Sequence, residues 1–459
     1  MDGAIRADGA ASGGSAAGSG SGGSLSLRAG TLSGLGTISA NGGGSTATQN
    51  AGGGGGRVRI EANLIDPTAD FNGLLDLSAH RGRGNYDSTQ GSAGTLYLLI
   101  DGSETLVIDA GEVGQTAATG TPLPLMGPAL VTAVETAALT TDGVVPQLPG
   151  ALVGLRLNPD LTQTETFEIV ANGSDRIEVA TPNENGIAFS TVAAVGATYE
   201  GDYRYANLLL RRGGHLEVGD LLRVTDRFDI TDHGLLTHPP TTTNYAGLLD
   251  LIAGSIEVDA TGRIDVTGRG YLGVPRAGLG DSAHTEGFLP GSGVGTGGSH
   301  GGRGGRYASD SSGQPAPVYG VETDPLDLGG GGGSWSGYAG GDGGGRIRIE
   351  AGTLILDGTI RADGGLNAGS IAGAGAGGSV NINVVDLDGS GSISANGGAP
   401  ALGGRSGVGG GGGRVAVSFT GVLTLPQTGI DARGGTGNYG NASPGSRCLN
   451  TTCTLGSGP

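Results

Sequence analysis

Lysine is absent from this chain of 459 residues; Trp occurs once, Cys twice, and aromatic residues make up only 4%. Each scarcity excludes something. A phosphate-binding P-loop ends on a Gly-Lys step, so the chain has none. So little aromatic mass cannot fill the thick core of a β-sandwich. No apolar run approaches the roughly 18 residues of a membrane span. The opening Met1-Asp2-Gly3-Ala4-Ile5 has neither the basic nor the apolar region of a secretory signal, so none is expected there. The 25 basic residues, all Arg, face 43 acids, for a net charge of −18. Nucleic acid and anionic lipid, which select basic patches, are therefore not the expected partners; the charge favours solubility and a weak attraction for divalent cations.

Cys448 and Cys453 are the only two cysteines. Two thiols without a nearby His make a poor zinc site, whereas this spacing suits one small disulfide-closed loop in an oxidising compartment.

What the chain has in abundance is glycine: 101 residues, about 22% against a usual share near 7%. It shows no period of three, which excludes a collagen helix. It does show a long repeat. Asp2-Gly3-Ala4-Ile5-Arg6-Ala7-Asp8-Gly9 returns as Asp357-Gly358-Thr359-Ile360-Arg361-Ala362-Asp363-Gly364. Gly22-Gly23-Ser24 returns as Gly377-Gly378-Ser379, and Ile38 to Gly43 as Ile393 to Gly398. Gly52 to Gly56 followed by Arg57 returns as Gly409 to Gly413 followed by Arg414, and Gly84-Asn85-Tyr86 as Gly437-Asn438-Tyr439. The chain reads as one and a third copies of a unit of about 355 residues, a slice of a longer array.

Within the unit, Arg57 to Ala62, Arg346 to Ala351, Val380 to Val384, Ile256 to Val258 and Ile264 to Val266 alternate apolar with polar residues. That is the period of a strand with one buried face. Asp-Gly, Thr-Gly, Ser-Gly and Asn-Gly steps separate the strands as turns. Short one-sided strands can stack as rungs of a parallel β-solenoid, about 4.8 Å apart, each covering its neighbour. The expected fold is thus all-β: a parallel β-solenoid with long Gly-rich loops, in which glycine supplies close approach and positive φ. Gly-rich rungs are expected over 1–110 and 205–459. Residues 111–204 form a linker and a small antiparallel β module, with strands over Leu152 to Leu157, Phe167 to Val170 and Arg176 to Val179 and a hairpin turn at Asn172-Gly173. Rungs resume near Leu208.

The stretches Ile264 to Gly273, Gly343 to Gly365 and Gly377 to Gly398 resemble phrases of the glycine-rich repeat regions of very large exported bacterial cell-surface proteins. The likeness covers most of residues 1–100 and 250–440. It implies a solenoid and an adhesin-like or structural role outside the cell; it transfers no catalytic residue. The chain departs from a complete member in having no signal peptide, anchor or clear cap.

The chemistry-bearing residues give no unique constellation. Gly18 to Gly23 fits GxGxxG, but a strand pattern follows where a dinucleotide site needs a helix. Arg6 with Asp8, Arg361 with Asp363, and the group Asp259, Arg263, Asp265 and Arg269 are candidates for acid–base hydrolysis or calcium binding. Their recurrence in both copies favours cross-strand charge pairs instead. Gly340-Gly341-Asp342-Gly343 is a single fragment of a calcium-binding repeat. His80, His215, His233, His238, His284 and His300 are scattered and read as solvated loop residues. Tyr86, Tyr271, Trp335, Tyr338 and Tyr439 lie among glycines, outside the core, where rings can cover Gly backbone or stack on sugars. Asn172, Asn441 and Asn450 head glycosylation sequons. No catalytic, cofactor or metal residue is assigned. The expected function is a non-catalytic structural or adhesive segment, with neighbouring repeats and surface polysaccharide as partners. The alternatives are a carbohydrate-active β-helix lyase or hydrolase using Asp, with calcium, and an ice or crystalline-polysaccharide binder.

Overall fold

In the computed structural model the alternating segments are strands, and most of them pair in parallel. The structure describes residues 2–14, 17–45, 51–65, 77–84, 90–111, 119–274, 283–307, 313–367, 371–400 and 407–457. The protein is all-β: among these residues there is no α-helix, only 3₁₀ turns at Phe189–Thr191, Glu286–Phe288 and Gln427–Gly429.

One long mixed sheet organises the molecule. Ser24–Leu32, Arg57–Ile65 and Thr95–Ile100 pair in parallel. Ser103–Asp109 then folds back antiparallel on Thr95–Ile100. A second parallel series starts from that strand: Thr198–Arg211, Leu221–Ile230, Leu249–Val258, Arg346–Leu356, Ser379–Asp388, Arg414–Phe419 and Ser446–Leu449. A second antiparallel hairpin, to Thr452–Leu455, ends it. Alongside run two narrower parallel sheets. One contains Ala4–Arg6, Thr37–Ser39 and Leu77–Ser78. The other is a seven-stranded sheet from Thr121–Pro122 to Ile430–Asp431. Equivalent groups recur 33 residues apart in both copies of the repeat.

Strand alternation dictates where the core sits. In the second series one apolar row runs Leu106, Leu208, Phe228, Ile256, Leu354, Leu387, and the next runs Ile108, Leu210, Ile230, Val258, Leu356. All are buried in one cluster. In the first series Val58, Ile60, Leu96 and Leu98 form a second cluster, which includes Val107. Val107 pairs with Leu96, whereas its neighbours Leu106 and Ile108 belong to the other cluster. Successive side chains of a strand point to opposite faces. The two cores therefore lie on opposite faces of the sheet, and Ser103–Asp109 is the strand at which they change over.

The Gly-rich stretches lie outside the strands, as loops do, but those of the second copy are packed, not open. Residues 371–382 and 407–417 are almost wholly buried, and their N–H groups bond both to the next turn of chain and across it. Gly377 N–H donates to the Gly411 carbonyl (2.9 Å), and Gly378 N–H to that of Ala362 (2.7 Å). A Cβ on Gly397 would lie 1.8 Å from the Gly410 oxygen, and one on Gly42 2.1 Å from the Gly53 oxygen. Close backbone approach, not positive φ, demands glycine here; positive φ is confined to turns such as Gly102 (φ 78°) and Gly389 (φ 116°).

Between the two series, Ala129–Val134, Ala138–Thr141, Arg156–Asn158, Phe167–Asn172 and Arg176–Val179 pair antiparallel. The expected strand over 152–157 is reduced to Arg156–Asn158, because residues 150–154 are turns. Parallel pairing resumes before Leu208, at Asp202. In this unit Phe167 and Phe189 meet edge-on at 5.1 Å, and Phe167, Phe189 and Tyr199 are fully buried in the core of the second series.

Candidate functional site

The Arg and Asp pairs of the repeat face outward on the narrow sheets. The Asp363 carboxylate accepts from Arg361 Nε (3.1 Å) and Nη2 (3.0 Å), and its other oxygen accepts the Asn396 N–H (2.6 Å). Asp8 likewise accepts the Asn41 N–H (2.7 Å) and the Ser39 hydroxyl (3.0 Å). Asn41 and Asn396 pass the pattern on, accepting the N–H of His80 (2.7 Å) and Arg433 (2.8 Å). A shallow groove of about 350 Å³ crosses Arg361, Asp363, Asn396, Asp431 and Arg433. Burial pushes the Asp431 carboxyl up, but the hydroxyl and N–H of Ser457, the Arg433 guanidinium and the Ala432 N–H hold it below the usual range. A general acid needs the opposite shift.

The group Asp259, Arg263, Asp265 and Arg269 is divided. Asp259 closes a turn by accepting N–H groups of Asp232, Thr261 and Gly262; despite burial, these bonds hold its carboxyl low. Asp265 lies 3.9 Å from Arg361, and Arg269 reaches Glu217 at 3.0 Å. Arg263 lies on the narrow sheet beside Ile264. Asp342 Oδ1 accepts the Gly273 N–H at 2.8 Å. Among the described residues no three His, Cys, Asp or Glu side chains come together as metal ligands.

The most perturbed acids escaped the sequence reading. Burial, with Asp250 and Asp220 nearby, pushes Glu200 up to about 8. Burial pushes Asp220 up to about 7 although three N–H groups oppose it, those of Met126 (2.8 Å), Gly201 (2.7 Å) and Gly127 (2.8 Å). Those bonds define its role: Asp220 clamps the chain entering the antiparallel unit to the parallel series. In sequence, Leu216 to Asp220 looks like one more rung.

The histidines correct the expectation of solvated residues. His215, His238, His284 and His300 are buried, His238 and His300 completely. Burial lowers His238 to about 3 and His300 to about 4. Tyr271 is buried too, at 7% exposure, edge-on to Phe288. Trp335 and Tyr439 flank Tyr307 at 5.4 and 5.2 Å, over Gly-rich chain, while Tyr338 is exposed. Tyr86 lies outside the described residues. Asn172 is buried and bonded to Leu148 and Leu152, out of reach of glycosylation. Cys448 and Cys453 are joined as a disulfide.

A cleft of about 870 Å³ lies where the first series meets the antiparallel unit. Arg57, Arg59 and Tyr97 line its sheet side, and residues 153–156 with Glu168 its opposite wall. The Arg59 guanidinium lies 5.1 Å from the Tyr97 ring centre, a cation–π contact. Burial and a hydrogen bond with Glu104 push Tyr97 up to about 12, so the phenol stays protonated. The cleft is a consequence of the core changing faces: the polar face of the first series continues the plane whose apolar rows, from Leu106 onward, are covered in the second. It offers the guanidinium groups of Arg57, Arg59, Arg156 and Arg204 beside the carboxylates of Glu104, Glu168 and Asp202 and three Tyr, which suits recognition of a polar chain more than bond cleavage.

No known family model matches the chain, and no curated protein or solved structure is significantly similar to it.

Proposed function

We propose that the chain is a parallel β-solenoid segment of an exported bacterial surface or matrix protein, with a structural or adhesive and non-catalytic role. The observation that carries this is the Asp–Asn relay. The same side chains make the same backbone bonds at Asp8–Asn41 and Asp363–Asn396. Catalysis needs one constellation, whereas a relay present in both copies, with a step of 33 residues followed by one of 39 or 37, ties successive turns of chain together. Parallel pairing over both copies and the hydrogen-bonded Gly array support the solenoid, whose stability would come from adjacent turns. The disulfide agrees with an oxidising compartment.

Two measurements test the reading. Solution scattering should give a rod-like profile; a compact sphere would remove the solenoid. Incubation with soluble and insoluble polysaccharides, with and without calcium, should give retention on a polymer without new chain ends. Release of ends would replace the adhesive role with a carbohydrate-active enzyme and send the search to Glu200 and its neighbours.

A further inference from the structure

The two copies of the repeat present the same outward row of side chains, and only one of the rows is covered. By strand register, Ser24, Ser26, Arg57, Arg59 and Tyr97 in the first copy correspond to Ser379, Asn381, Arg414, Ala416 and Cys448 in the second. In the second copy all five are buried. What buries them is an extended acidic segment, residues 319–328, laid across the strands. Arg414 donates from Nε (3.0 Å) and Nη2 (2.9 Å) to the Tyr319 carbonyl. Its Nη1 lies 3.4 Å from the Glu322 carboxylate. Asn381 Nδ2 donates to the Asp324 carboxylate (2.6 Å), and the Ser379 hydroxyl to the Asp327 carbonyl (2.6 Å). The sulfur of Cys448, which carries no proton, packs 3.2 Å from the Glu322 carbonyl.

In the first copy Ser24, Ser26, Arg57 and Arg59 are exposed, and this row is the sheet side of the 870 Å³ cleft. Two differences set it apart from its covered counterpart. Arg59 replaces Ala416, adding a cation that Glu61 approaches at 3.4 Å, and Tyr97 replaces Cys448, adding a ring on which an extended chain can pack. At the far wall Arg156 and Arg204 are paired with Glu184 and Asp202, and Glu104 and Glu168 also line the cleft, so the receptive charge lies on the sheet side, at Arg57 and Arg59.

We infer that this cleft binds an extended acidic peptide segment of a protein partner, laid across Ser24, Arg57 and Tyr97 as residues 319–328 are laid across Ser379, Arg414 and Cys448. A backbone carbonyl of the partner sits in the Arg57 fork, its carboxylates face Arg59 and Ser26, and the Ser24 hydroxyl donates to a further carbonyl. The inference holds whether or not the chain adheres to polysaccharide.

The probe is a fluorescent synthetic peptide with the sequence of residues 315–328, titrated into the full chain and cross-linked to locate it. Saturable binding is expected, with cross-links to the strands Ser24–Leu32 and Arg57–Ile65. R57Q and R59Q, on an exposed row and so compatible with folding, should each weaken binding at least about tenfold, the scale of one lost charge-assisted hydrogen bond. A peptide with its acids changed to amides should weaken as much. Unchanged melting of both variants checks that they fold. Absence of saturable binding, binding unaffected by R57Q, or cross-links only at 379–416 would overturn the inference. So would equal, Arg57-dependent binding of polygalacturonate, which would make the cleft a site for acidic sugar.

Discussion

Two hairpins end the two parallel series, and they are held in different ways. In the first, the return strand Ser103–Asp109 pairs on both edges and carries the unbroken apolar run Leu106-Val107-Ile108, which is buried on both faces. In the second, the outer strand Thr452–Leu455 has no such run, leaves Leu455 72% exposed, and is joined to its partner by Cys448–Cys453. A strand that alternates can serve one core; a strand that is apolar throughout can serve two. At the first hairpin the chain reverses direction and the core changes face together, which amounts to a half-turn about the stacking direction. The second hairpin has a covalent link where the first has two cores.

The largest effect should follow from breaking the two-faced strand. Ile108→Ala removes a fully buried side chain from the row Leu210, Ile230, Val258 and Leu356, at a cost of about 2–5 kcal/mol. Val107→Ala, on the opposite face, should cost less. Hydrogen exchange separates them: Ile108→Ala should speed exchange in 207–230, and Val107→Ala in 57–62 and 95–100. Equal loss of protection in both regions from either variant would show a single core.

Next in size are the Gly arrays, where the copies should behave alike. Gly42→Ala and Gly397→Ala place a Cβ 2.1 Å and 1.8 Å from a backbone oxygen, so each should cost about 1–3 kcal/mol or more as overpacking. Gly3→Ala, with nothing within 4 Å, should stay within about 0.5 kcal/mol. Urea midpoints measure all three; a neutral Gly397→Ala would mean the array is loose. Reducing Cys448–Cys453, which closes a loop with sequence separation 5, should cost at most about 2 kcal/mol. The faster exchange should be confined to 446–455, and spread into 379–419 would show that the link supports the whole series.

The strands were legible because alternation is local: Arg57 to Ala62 and Arg346 to Ala351 name their own inward residues. The repeat was legible too, but not its use: Asp8 and Asp363 hold the backbone of Asn41 and Asn396, and Arg361 meets Asp363 two residues along its own chain instead of across strands. The Gly array was not, since glycine suits a loop and a packed backbone equally and only the neighbour at 2 Å decides. The covering of Arg414 was hidden as well. Its partner Tyr319 lies 95 residues away, in a Pro-containing stretch that looks like a linker. Of the cleft, only Arg57 and Arg59 stood out, as polar positions of an alternating strand; Tyr97 did not, and the opposing wall came from a unit whose docking depends on Asp220. The Leu106-Val107-Ile108 run was the one available sign that the core changes faces.

The smallest effects are pH slopes, and they have opposite signs. Glu200 is raised to about 8 by burial and nearby acids, so the folded state holds a proton that the unfolded chain loses near 4.5. Its contribution is complete below that pH and is lost as the pH climbs to about 8. His300 is lowered to about 4; its Nδ1 lies 2.9 Å from the Gly377 carbonyl oxygen, and Nε2 is buried without a partner. Nδ1 therefore carries the proton of the neutral ring, and burial disfavours a second one. That contribution is complete above about 6.5 and is lost as the pH falls toward 4. Between pH 4.5 and 6.5 the two slopes oppose each other, each up to about 1.4 kcal/mol per pH unit. Relative to the parent, Glu200→Gln should make stability rise more steeply with pH in urea titrations across that range, and His300→Gln less steeply. His300 touches Tyr319 of the covering segment (rings 4.9 Å apart), so its slope should appear in exchange at 379–417 and not at 24–62. An equal slope in both copies would mean that the covered row and the open one respond to acid alike.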